Sequence, residues 1–546
     1  MSVKQYGIYL AYAPTVDLRH EGLGRYLASF LKGAALRGDS RFVLVCPSWS
    51  RESLEQLFLA ENVPQNCFTL VSPATIPPVL RLYEWWRRYR SRLRSKSLFR
   101  RVAERLHAAK GRLIERSLNR VSRAGSFTSL LLALLPTAIQ LFVFILLWPI
   151  WLPLALVALL GLYAKSFNFR PLRSIRRLGK RFFGLLGQPK DDGLVVRMYQ
   201  GMESAETKRM QAIIDRLPHV RAWYCPTVFW PAFNMIKAPR LACVPDVVLA
   251  DFPVAFAQMG GDRYLSTFEA VEAAILGGNN YVTYSFDVKW NTLVKRYGVP
   301  AHKVSVINHA PHDLSQWVSV SGFDDPKAAS INYCWSLLGS AFKRSPLSSY
   351  TCGFHVTGLQ FIFYASQFRP NKNVITLLRA YEYLLRKKFI VHKLILTGNP
   401  EVLPAVKEFI KDHYLQNDVL FLHGLKIQEL AACYKLADLA VNPSLSEGGC
   451  PFTFTEALSV DTPVVMARIP VTEEVLTDPE LQEMTFFDPY DWRDMASRLE
   501  WALSNREELL SVQRKTYAKL VQRNWADVVD EHLQLLENIS GEGISV

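Results

Sequence analysis

Five short apolar runs in the second half of the chain alternate with longer amphipathic stretches. The runs read FIFYASQF, KLILTGNP, VLFLHGL, LAVNPS and PVVMARI, and turn-forming residues follow each of them. Short strands that alternate with helices form parallel sheets with helices packed on their faces. The first half repeats this alternation, beginning with YGIYLAYAP and FVLVCPSW. We therefore predict an α/β fold with two doubly wound domains that face each other across a cleft.

Helical patterns separate the strands, and one region interrupts the alternation. Helices are predicted at Leu23–Leu36, Glu52–Leu59 and Glu203–Leu217. Residues 315–355 contain Ser, Gly and Pro without a clear period, so we expect an irregular junction between the domains there. The predicted domains are residues 1–320 and 355–520, with a C-terminal helix at 521–546. Ligands of doubly wound sheets bind beyond the carboxyl ends of the strands, which makes the cleft the expected active site.

An uncharged stretch from Ala124 to Ala164 lies inside the first domain. One straight helix of this length would measure about 60 Å, against a hydrocarbon core of about 30 Å. Pro149 and Pro153 would also break such a helix. Two short helices that form a membrane hairpin fit the stretch better. A buried core hairpin is the alternative, although core helices rarely run this long without a polar face.

Both flanks of this hairpin are strongly basic, within an insertion that we place at residues 81–190. Lys and Arg flanks stay on the cytoplasmic side of a membrane, so both ends of the hairpin are expected there. The segment EWWRRYRSRLRSK suits contact with an anionic membrane surface, although a solvated charged helix would explain it too. Because the basic residues concentrate in these flanks, nucleic acid is not expected as a partner. Strand-like runs on both sides of the insertion predict a single α/β unit.

The cysteines and histidines give weaker signals. The eight cysteines are scattered, and the chain begins without a signal-peptide pattern, which predicts reduced cytosolic thiols. The run HAPHD places His309 and His312 beside Asp313 in a spacing that could hold a metal ion, but a connecting loop explains it better. Cys450 follows a glycine pair, but no supporting base is evident. We therefore expect no metal and no other cofactor.

The stretch SLSEGGCPFTFTEAL, residues 444–458, carries the pattern most typical of ligand binding. It follows a predicted strand, and Pro451 stands where a helix would begin. Glycines let a ligand approach the backbone, and free N–H groups at a helix start favour an anion such as a diphosphate. Glu447 and Glu456 can then point into the cleft, where carboxylates accept hydrogen bonds from sugar hydroxyls. Capping acids beside a structural glycine turn would explain the same residues without a ligand.

In their order and combination, the motifs between residues 360 and 500 resemble the family 4 retaining glycosyltransferases of the GT-B fold, of the bacterial surface-polysaccharide type. The resemblance rests on SEGGCPFTFTEAL and TPVVMARIPVTEEVL, and it extends upstream through FIFYASQFRPNKNVITLLRAYEYL. Weaker matches in the first half are EGLGRYL and VPDVVLADFPVAF. The resemblance implies two Rossmann-like domains, with the acceptor on the N-terminal side and the nucleotide-sugar donor on the C-terminal side.

The resemblance also implies roles for individual residues. Glu447 would contact the donor sugar, Glu456 the ribose, and Lys372 the diphosphate. Asp246 takes the place of a family aspartate on the acceptor side. Contacts to the phosphates are implied for Gly22, Gly24, Gly448, Gly449, Phe452 and Thr453.

Three positions depart from the family pattern. The two glutamates are nine positions apart rather than eight, so the loop after Glu447 contains one extra residue. The family's Gly-Arg pair reads Ser366-Gln367 here, and Arg369 is predicted to supply the missing charge. Pro245 stands where the family has a histidine.

The resemblance implies a retaining hexosyltransferase, and the uncharged stretch with its basic flanks predicts that it is associated with the cytoplasmic face of the inner membrane. It would transfer a sugar, with mannose as one candidate, from a nucleotide-sugar donor to a lipid-linked or glycan acceptor. The product would be a cell-surface polysaccharide such as lipopolysaccharide. Because of the departures around Glu447 and Gln367, a catalytically inactive nucleotide-sugar-binding scaffold of a polysaccharide assembly complex is the alternative. The residues leave the sugar, the nucleotide base, the acceptor and the linkage open.

Overall fold

The computed structural model describes residues 4–14, 16, 22–81, 192–260, 262–345 and 357–542. The hairpin predicted at residues 124–164 lies outside these ranges, as does nearly all of the insertion at 81–190. Both stay predictions. Among the helices of the described ranges, none combines the length and the apolar character that crossing a membrane requires.

Seven parallel strands form the N-terminal sheet, in the order β3-β2-β1-β4-β5-β6-β7. They are β1 (Lys4–Tyr9), β2 (Ser40–Val45), β3 (Phe68–Val71), β4 (Trp223–Cys225), β5 (Arg240–Cys243), β6 (Asn280–Thr283) and β7 (Val304–Val306). Strand β1 pairs with β2 on one side and with β4 on the other, and β4 follows the insertion in the sequence. The strands before and after the insertion therefore belong to one sheet, as their patterns predicted.

Six parallel strands form the C-terminal sheet, in the order β10-β9-β8-β11-β12-β13. They are β8 (Phe361–Tyr364), β9 (Lys393–Leu396), β10 (Val419–Phe421), β11 (Leu439–Asn442), β12 (Val464–Ala467) and β13 (Phe486–Phe487). The five strands predicted for this half are confirmed. Strand β13 has two residues, which is too short to leave a periodic pattern.

Helices connect the strands and cover both faces of each sheet. The α-helices of the N-terminal half are α1 (Gly22–Arg37), α2 (Arg51–Ala60), α3 (Asp192–Ile214), α4 (Val248–Asp251), α5 (Pro253–Gly260) and α6 (Asp262–Leu276), followed by a π-helix (Val288–Arg296). Those that follow are α7 (Pro326–Arg344), α8 (Val374–Lys387), α9 (Pro404–Asp412), α10 (Ile427–Leu436), α11 (Phe452–Ser459), α12 (Pro470–Val475), α13 (Pro479–Thr485), α14 (Trp492–Ser504), α15 (Arg506–Leu520) and α16 (Trp525–Glu542). In β8, Phe361 and Phe363 pack into one core, whereas Ile362 and Tyr364 pack into the core on the other face. The prediction of an α/β protein with two doubly wound sheets is confirmed.

The expectation of an irregular junction at residues 315–355 is wrong, because α7 lies inside it. The Asp325 carboxylate accepts a hydrogen bond from the Ala328 N–H at 3.0 Å and caps the helix. Cys334, Leu338 and Phe342 lie on the buried face of α7, which packs against α10. Serines and one glycine, Gly339, between these positions dilute the apolar period, so the sequence pattern is weak although the helix has 19 residues.

Helix α16 returns from the C-terminal half and packs against α1 of the N-terminal half. Val529 and Leu536 lie in the same core as Phe30. His532 is fully buried, with its ring about edge-on to the rings of Phe30 and Tyr224, at 5.2 Å from each. The last helix of the chain therefore stabilises the N-terminal sheet.

Candidate functional site

A cavity of about 820 Å³ lies between the carboxyl ends of the two sheets. On the C-terminal side, Tyr364 and Asn442 line it where β8 and β11 end, and these strands are neighbours although they are far apart in sequence. On the N-terminal side, the start of α1 and the end of α2 form the wall. The cavity thus lies at the point where the strand order reverses, which is where doubly wound sheets bind ligands.

Seven of the predicted site residues line this cavity. They are Gly22, Arg369, Lys372, Glu447, Phe452, Thr453 and Glu456. Gln367, where the family has arginine, also lines it, close in sequence to Arg369. The structure therefore brings the loop after β8, the loop after β11 and the first turn of α1 to one place.

Lys372 and Glu447 form an ion pair inside the C-terminal half. Their Nζ and Oε1 atoms are 2.5 Å apart, and both side chains are less than one-fifth exposed. Asn371 holds the two loops together, because its side-chain Nδ2–H donates to the Ser446 carbonyl and its backbone carbonyl accepts from the Leu445 N–H. Burial alone would lower the pKa of Lys372, but the charge of Glu447 raises it above its ordinary value. The lysine is therefore a fixed cation on the cavity wall.

Glu456 is paired across the cleft rather than inside its own half. Its Oε1 lies 2.5 Å from Nη1 of Arg25, and only 2% of its side chain is exposed. Burial alone would raise the pKa of this carboxyl, but Arg25 and His312 lower it to about 2. Glu456 is therefore ionised at neutral pH, and its charge links α11 to α1.

His312 completes the surroundings of Glu456. Its ring stacks on Phe452, with centroids 4.0 Å apart and planes 5° from parallel. Burial lowers the pKa of His312, although the bond to Glu456 opposes this shift, so the ring is neutral at neutral pH. A neutral ring that donates from Nδ1 to Glu456 (3.4 Å) leaves Nε2 to accept from the Ser29 hydroxyl at 3.3 Å. His312 is thus a hydrogen-bonded part of the contact between the halves.

His309, the other histidine of HAPHD, packs on Tyr284 within the N-terminal half and also contacts Phe452 of the C-terminal half. Its ring centroid is 3.8 Å from that of Tyr284, and burial lowers its pKa to about 3. In the part of the chain that the structure describes, no group of three or more His, Cys, Asp or Glu side chains could hold a metal ion. The two histidines serve packing and hydrogen bonding between the halves.

Gly448 and Gly449 face the N-terminal half. A Cβ on Gly448 would lie 2.0 Å from the Pro245 carbonyl oxygen, and one on Gly449 would lie 2.8 Å from Cβ of Tyr284. Gly24 is buried within α1. The cavity wall is formed instead by the residues that follow the glycine pair, from Pro451 to Thr453. The glycines allow the close approach of the two halves, and their predicted contacts to phosphates stay predictions.

Asp246 does not line this cavity; it lines a second, smaller pocket together with Phe229 and Tyr297. Burial raises its pKa, while Lys372 and Arg369 oppose this shift. Burial also raises the pKa of the Cys450 thiol to about 12, and Glu447 adds to this. A thiol with such a pKa is protonated at neutral pH, which disfavours a nucleophilic role for Cys450.

Comparisons with known proteins agree with this geometry. Residues 354–520 match the family model of the glycosyl transferases group 1. This part of the chain is similar to the group 1 glycosyltransferase domain. It contains both glutamates, Lys372 and Arg369, and the strands β8 to β13.

Curated relatives match parts of the chain. The O-antigen chain mannosyltransferase RfbU of Salmonella typhimurium is 31% identical over 144 residues, which are 26% of this chain and 36% of the relative. The alpha-monoglucosyldiacylglycerol synthase of Streptococcus pneumoniae is 25% identical over 173 residues, which are 30% of this chain and 38% of the relative. The match thus spans less than half of the length of each of these relatives.

Solved structures match nearly the whole chain, at low identity. HepE of Anabaena, in complex with UDP and glucose, has a TM-score of 0.50 and 12% identity, and the match covers 98% of this chain and 100% of HepE. Sucrose-phosphate synthase of Thermosynechococcus elongatus has a TM-score of 0.54 and 12% identity, covering 99% and 100%. At this identity the likeness concerns the fold alone, and it confirms the predicted GT-B fold.

Two residues around Glu456 were not predicted as site residues. Arg25 lies in the run EGLGRYL, where the prediction named only the glycines. His312 lies in HAPHD, where the sequence pattern pointed to a connecting loop. One signal for Arg25 was available in the sequence. It stands three residues after Gly22 at a glycine-rich helix start, and a cation at that place lines the same cleft as the glycine.

Proposed function

We propose that the protein is a retaining glycosyltransferase that transfers a sugar from a nucleoside diphosphate to a lipid-linked or glycan acceptor. The observation that carries this proposal is the cavity whose walls combine Lys372, Arg369, Glu447 and Glu456. Such a cavity offers cations for a diphosphate and carboxylates for the hydroxyls of a ribose and a sugar.

In the proposed chemistry the bond between the sugar and the diphosphate breaks while an acceptor hydroxyl forms the new glycosidic bond on the same face, and the hydroxyl proton passes to the departing diphosphate. The leaving group gains negative charge in the transition state, and Lys372 and Arg369 line the cavity where they would stabilise it. Glu447 and Glu456 are held by cations, so we assign them to binding hydroxyls rather than to accepting the acceptor's proton. Asp246 would stand on the acceptor side, and no metal takes part in this scheme.

Mannose is the first candidate for the transferred sugar. A membrane-bound molecule is the first candidate for the acceptor that receives it. One relative is named as an O-antigen chain mannosyltransferase, which supports mannose and a role in cell-surface polysaccharide synthesis. The other is named as an alpha-monoglucosyldiacylglycerol synthase, which supports a lipid acceptor. The uncharged stretch and its basic flanks support a place on the cytoplasmic face of the inner membrane.

Turnover of nucleotide sugars tests the enzymatic part of the proposal. Purified full-length protein is incubated with GDP-mannose, UDP-glucose and other nucleotide sugars, with and without membrane lipid extracts, and released nucleoside diphosphate is measured. We expect release with one donor, and we expect the Lys372→Ala variant to lose it. Tight binding of a nucleotide sugar without turnover under every condition would favour the inactive scaffold instead.

Fractionation tests the membrane part. Wild-type protein should sediment with membranes and need detergent for release, because salt screens charges but leaves apolar burial intact. A variant with residues 124–164 replaced by a short Gly/Ser linker should be released by salt alone and still bind the donor. Wild-type protein that is recovered without detergent would contradict the membrane part and leave the enzymatic part unaffected.

A further inference from the structure

Arg25 lines the cavity, although it was not predicted as a site residue. It lies in the first turn of α1, on the wall that the N-terminal half contributes. Its side chain is 27% exposed, so the guanidinium is partly open to the cavity while it pairs with the nearly buried Glu456. Lys372 and Arg369 line the same cavity from the C-terminal half.

The chemistry of the guanidinium allows more than the contact to Glu456. A guanidinium carries five N–H donors in a planar fork, and the bond to Glu456 uses one from Nη1. Its other edge is therefore available for a second anion, and phosphate matches that geometry. The first turn of α1 contains no acidic residue, so the positive end of the helix dipole adds to the charge of Arg25.

We propose that Arg25 is a specificity-determining residue that binds the diphosphate of the donor while it stays hydrogen-bonded to Glu456. This inference rests on the proposed function, in which Glu456 binds the ribose. One side chain of the N-terminal half would then contact the phosphates and orient the carboxylate that receives the ribose. The site would accordingly favour nucleoside diphosphates over nucleosides through Arg25.

Lysine cannot replace arginine in this arrangement. An ammonium group is a point charge without the planar fork, so it loses the fixed geometry of two bonds to two different anions. The Arg25→Lys variant keeps the charge beside Glu456 but should bind diphosphates less well. This variant separates the bridging geometry from the mere presence of a cation.

The test compares nucleoside diphosphates with the matching nucleosides. Dissociation constants of UDP, GDP and ADP, and of uridine, guanosine and adenosine, are measured for the full-length protein by calorimetry and ligand-observed NMR. For Arg25→Gln, we expect the affinity for the diphosphate that the wild type binds to fall by about 10- to 100-fold, whereas nucleoside affinity should change little. Arg25→Lys should fall between wild type and Arg25→Gln. Arg37→Gln, at the far end of α1 and outside the cavity, is the matched control and should behave like wild type.

The outcomes distinguish a direct phosphate contact from an indirect effect of Arg25. Equal losses for the diphosphate and its nucleoside would mean that Arg25 acts only through Glu456, and an unchanged diphosphate affinity would mean that it contacts no phosphate. Either result overturns the inference but leaves the proposed function intact. Wild-type protein that binds none of the diphosphates contradicts the proposed function and the inference together. Because Arg25→Gln leaves a buried carboxylate unpaired, the same comparison is made between Glu456→Gln and the double variant Arg25→Gln/Glu456→Gln, in which the diphosphate-specific loss should persist.

Discussion

The C-terminal and N-terminal halves of the cleft contribute their charges in different ways. In the C-terminal half, Lys372 and Glu447 come from loops that follow the neighbouring strands β8 and β11, and they pair within one domain. The N-terminal half contributes Arg25, which pairs with Glu456 on the other side of the cleft. Glu447, in the loop after β11, and Glu456, on the helix α11 that follows, thus pair with cations from different halves of the molecule. The Lys372–Glu447 pair can therefore form within one domain, whereas the Arg25–Glu456 pair depends on how the halves meet.

The largest expected effect comes from removing one member of each pair. Lys372→Ala and Glu456→Ala should each lower donor turnover by about 10- to 100-fold, since charge-assisted hydrogen bonds are worth roughly 1.5–3 kcal/mol. Glu456→Ala should also lower the free energy of unfolding, because Arg25 loses its partner and the pair that joins the two halves is lost. Lys372→Ala removes a pair inside one half, so it should lower this free energy less. Turnover and urea unfolding of both variants give the measurement.

Lys393→Ala is the matched control for this pair of variants, because Lys393 pairs with Asp418 at 2.7 Å far from the cavity. It should leave turnover unchanged. If Lys372→Ala and Glu456→Ala both retain normal turnover, the assignment of the site is wrong. If they destabilise the protein equally, the contrast between the local pair and the pair across the cleft does not hold.

The next effect concerns the approach of the two halves at Gly448. A Cβ there would overlap the Pro245 carbonyl, so Gly448→Ala should force the halves apart and cost about 1–3 kcal/mol of stability, as overpacking does. Turnover should fall with it, and X-ray scattering should give a larger radius of gyration. Gly339→Ala within α7, where a Cβ meets no atom within 4 Å, should be neutral or slightly stabilising. Identical behaviour of the two variants would show that the close approach does not matter.

Acid should weaken the N-terminal half through a buried histidine of α16. Burial lowers the pKa of His532 to about 4, so the unfolded chain binds a proton that the folded protein does not. The stability that this neutral ring provides is present above the ordinary histidine pKa of about 6.5 and is lost as pH falls toward 4. At pH 5 the loss should be about 2 kcal/mol relative to pH 7.5.

His532→Phe, which keeps a ring between Phe30 and Tyr224, should therefore lose less stability than wild type between pH 7.5 and pH 5. Urea unfolding at the two pH values measures the difference. The exposed His302, replaced by Gln, is the control and should follow wild type. A His532→Phe variant with an unchanged pH dependence would assign the acid sensitivity to other groups.

The smallest expected effect distinguishes two neighbours on the cavity wall. Arg369→Gln should lower turnover more than Gln367→Ala, because a glutamine cannot replace the charge that Arg369 offers a diphosphate. We expect a loss below about 10-fold, since Lys372 remains. Equal tolerance of both changes in a turnover assay would mean that Lys372 and backbone donors suffice.

Much of the fold follows from local patterns in the sequence. The alternation of apolar runs and amphipathic stretches predicted the strands of both sheets, because buried parallel strands need continuous apolar residues and their connections need one apolar face. The helix α7 was not predicted in this way, since its serines and its one glycine weaken the apolar period of its buried face. Asp325, which caps α7, was a signal for its start that a pattern of apolar residues does not include.

The candidate site likewise contains residues that the sequence predicted and one contact that it did not. Glu447 and Lys372 were predicted from motifs that follow two strands, and neighbouring strands bring such motifs together wherever the sheet forms. The partner of Glu456 is a different case, because Arg25 is 431 positions away and belongs to the other sheet. Pairing at that distance depends on the angle and separation of two domains, which no local pattern encodes. The sequence by itself thus determined two sheets and a cation–carboxylate pair in one of them, whereas only the tertiary structure decided that Gly448 and Glu456 meet the opposite half.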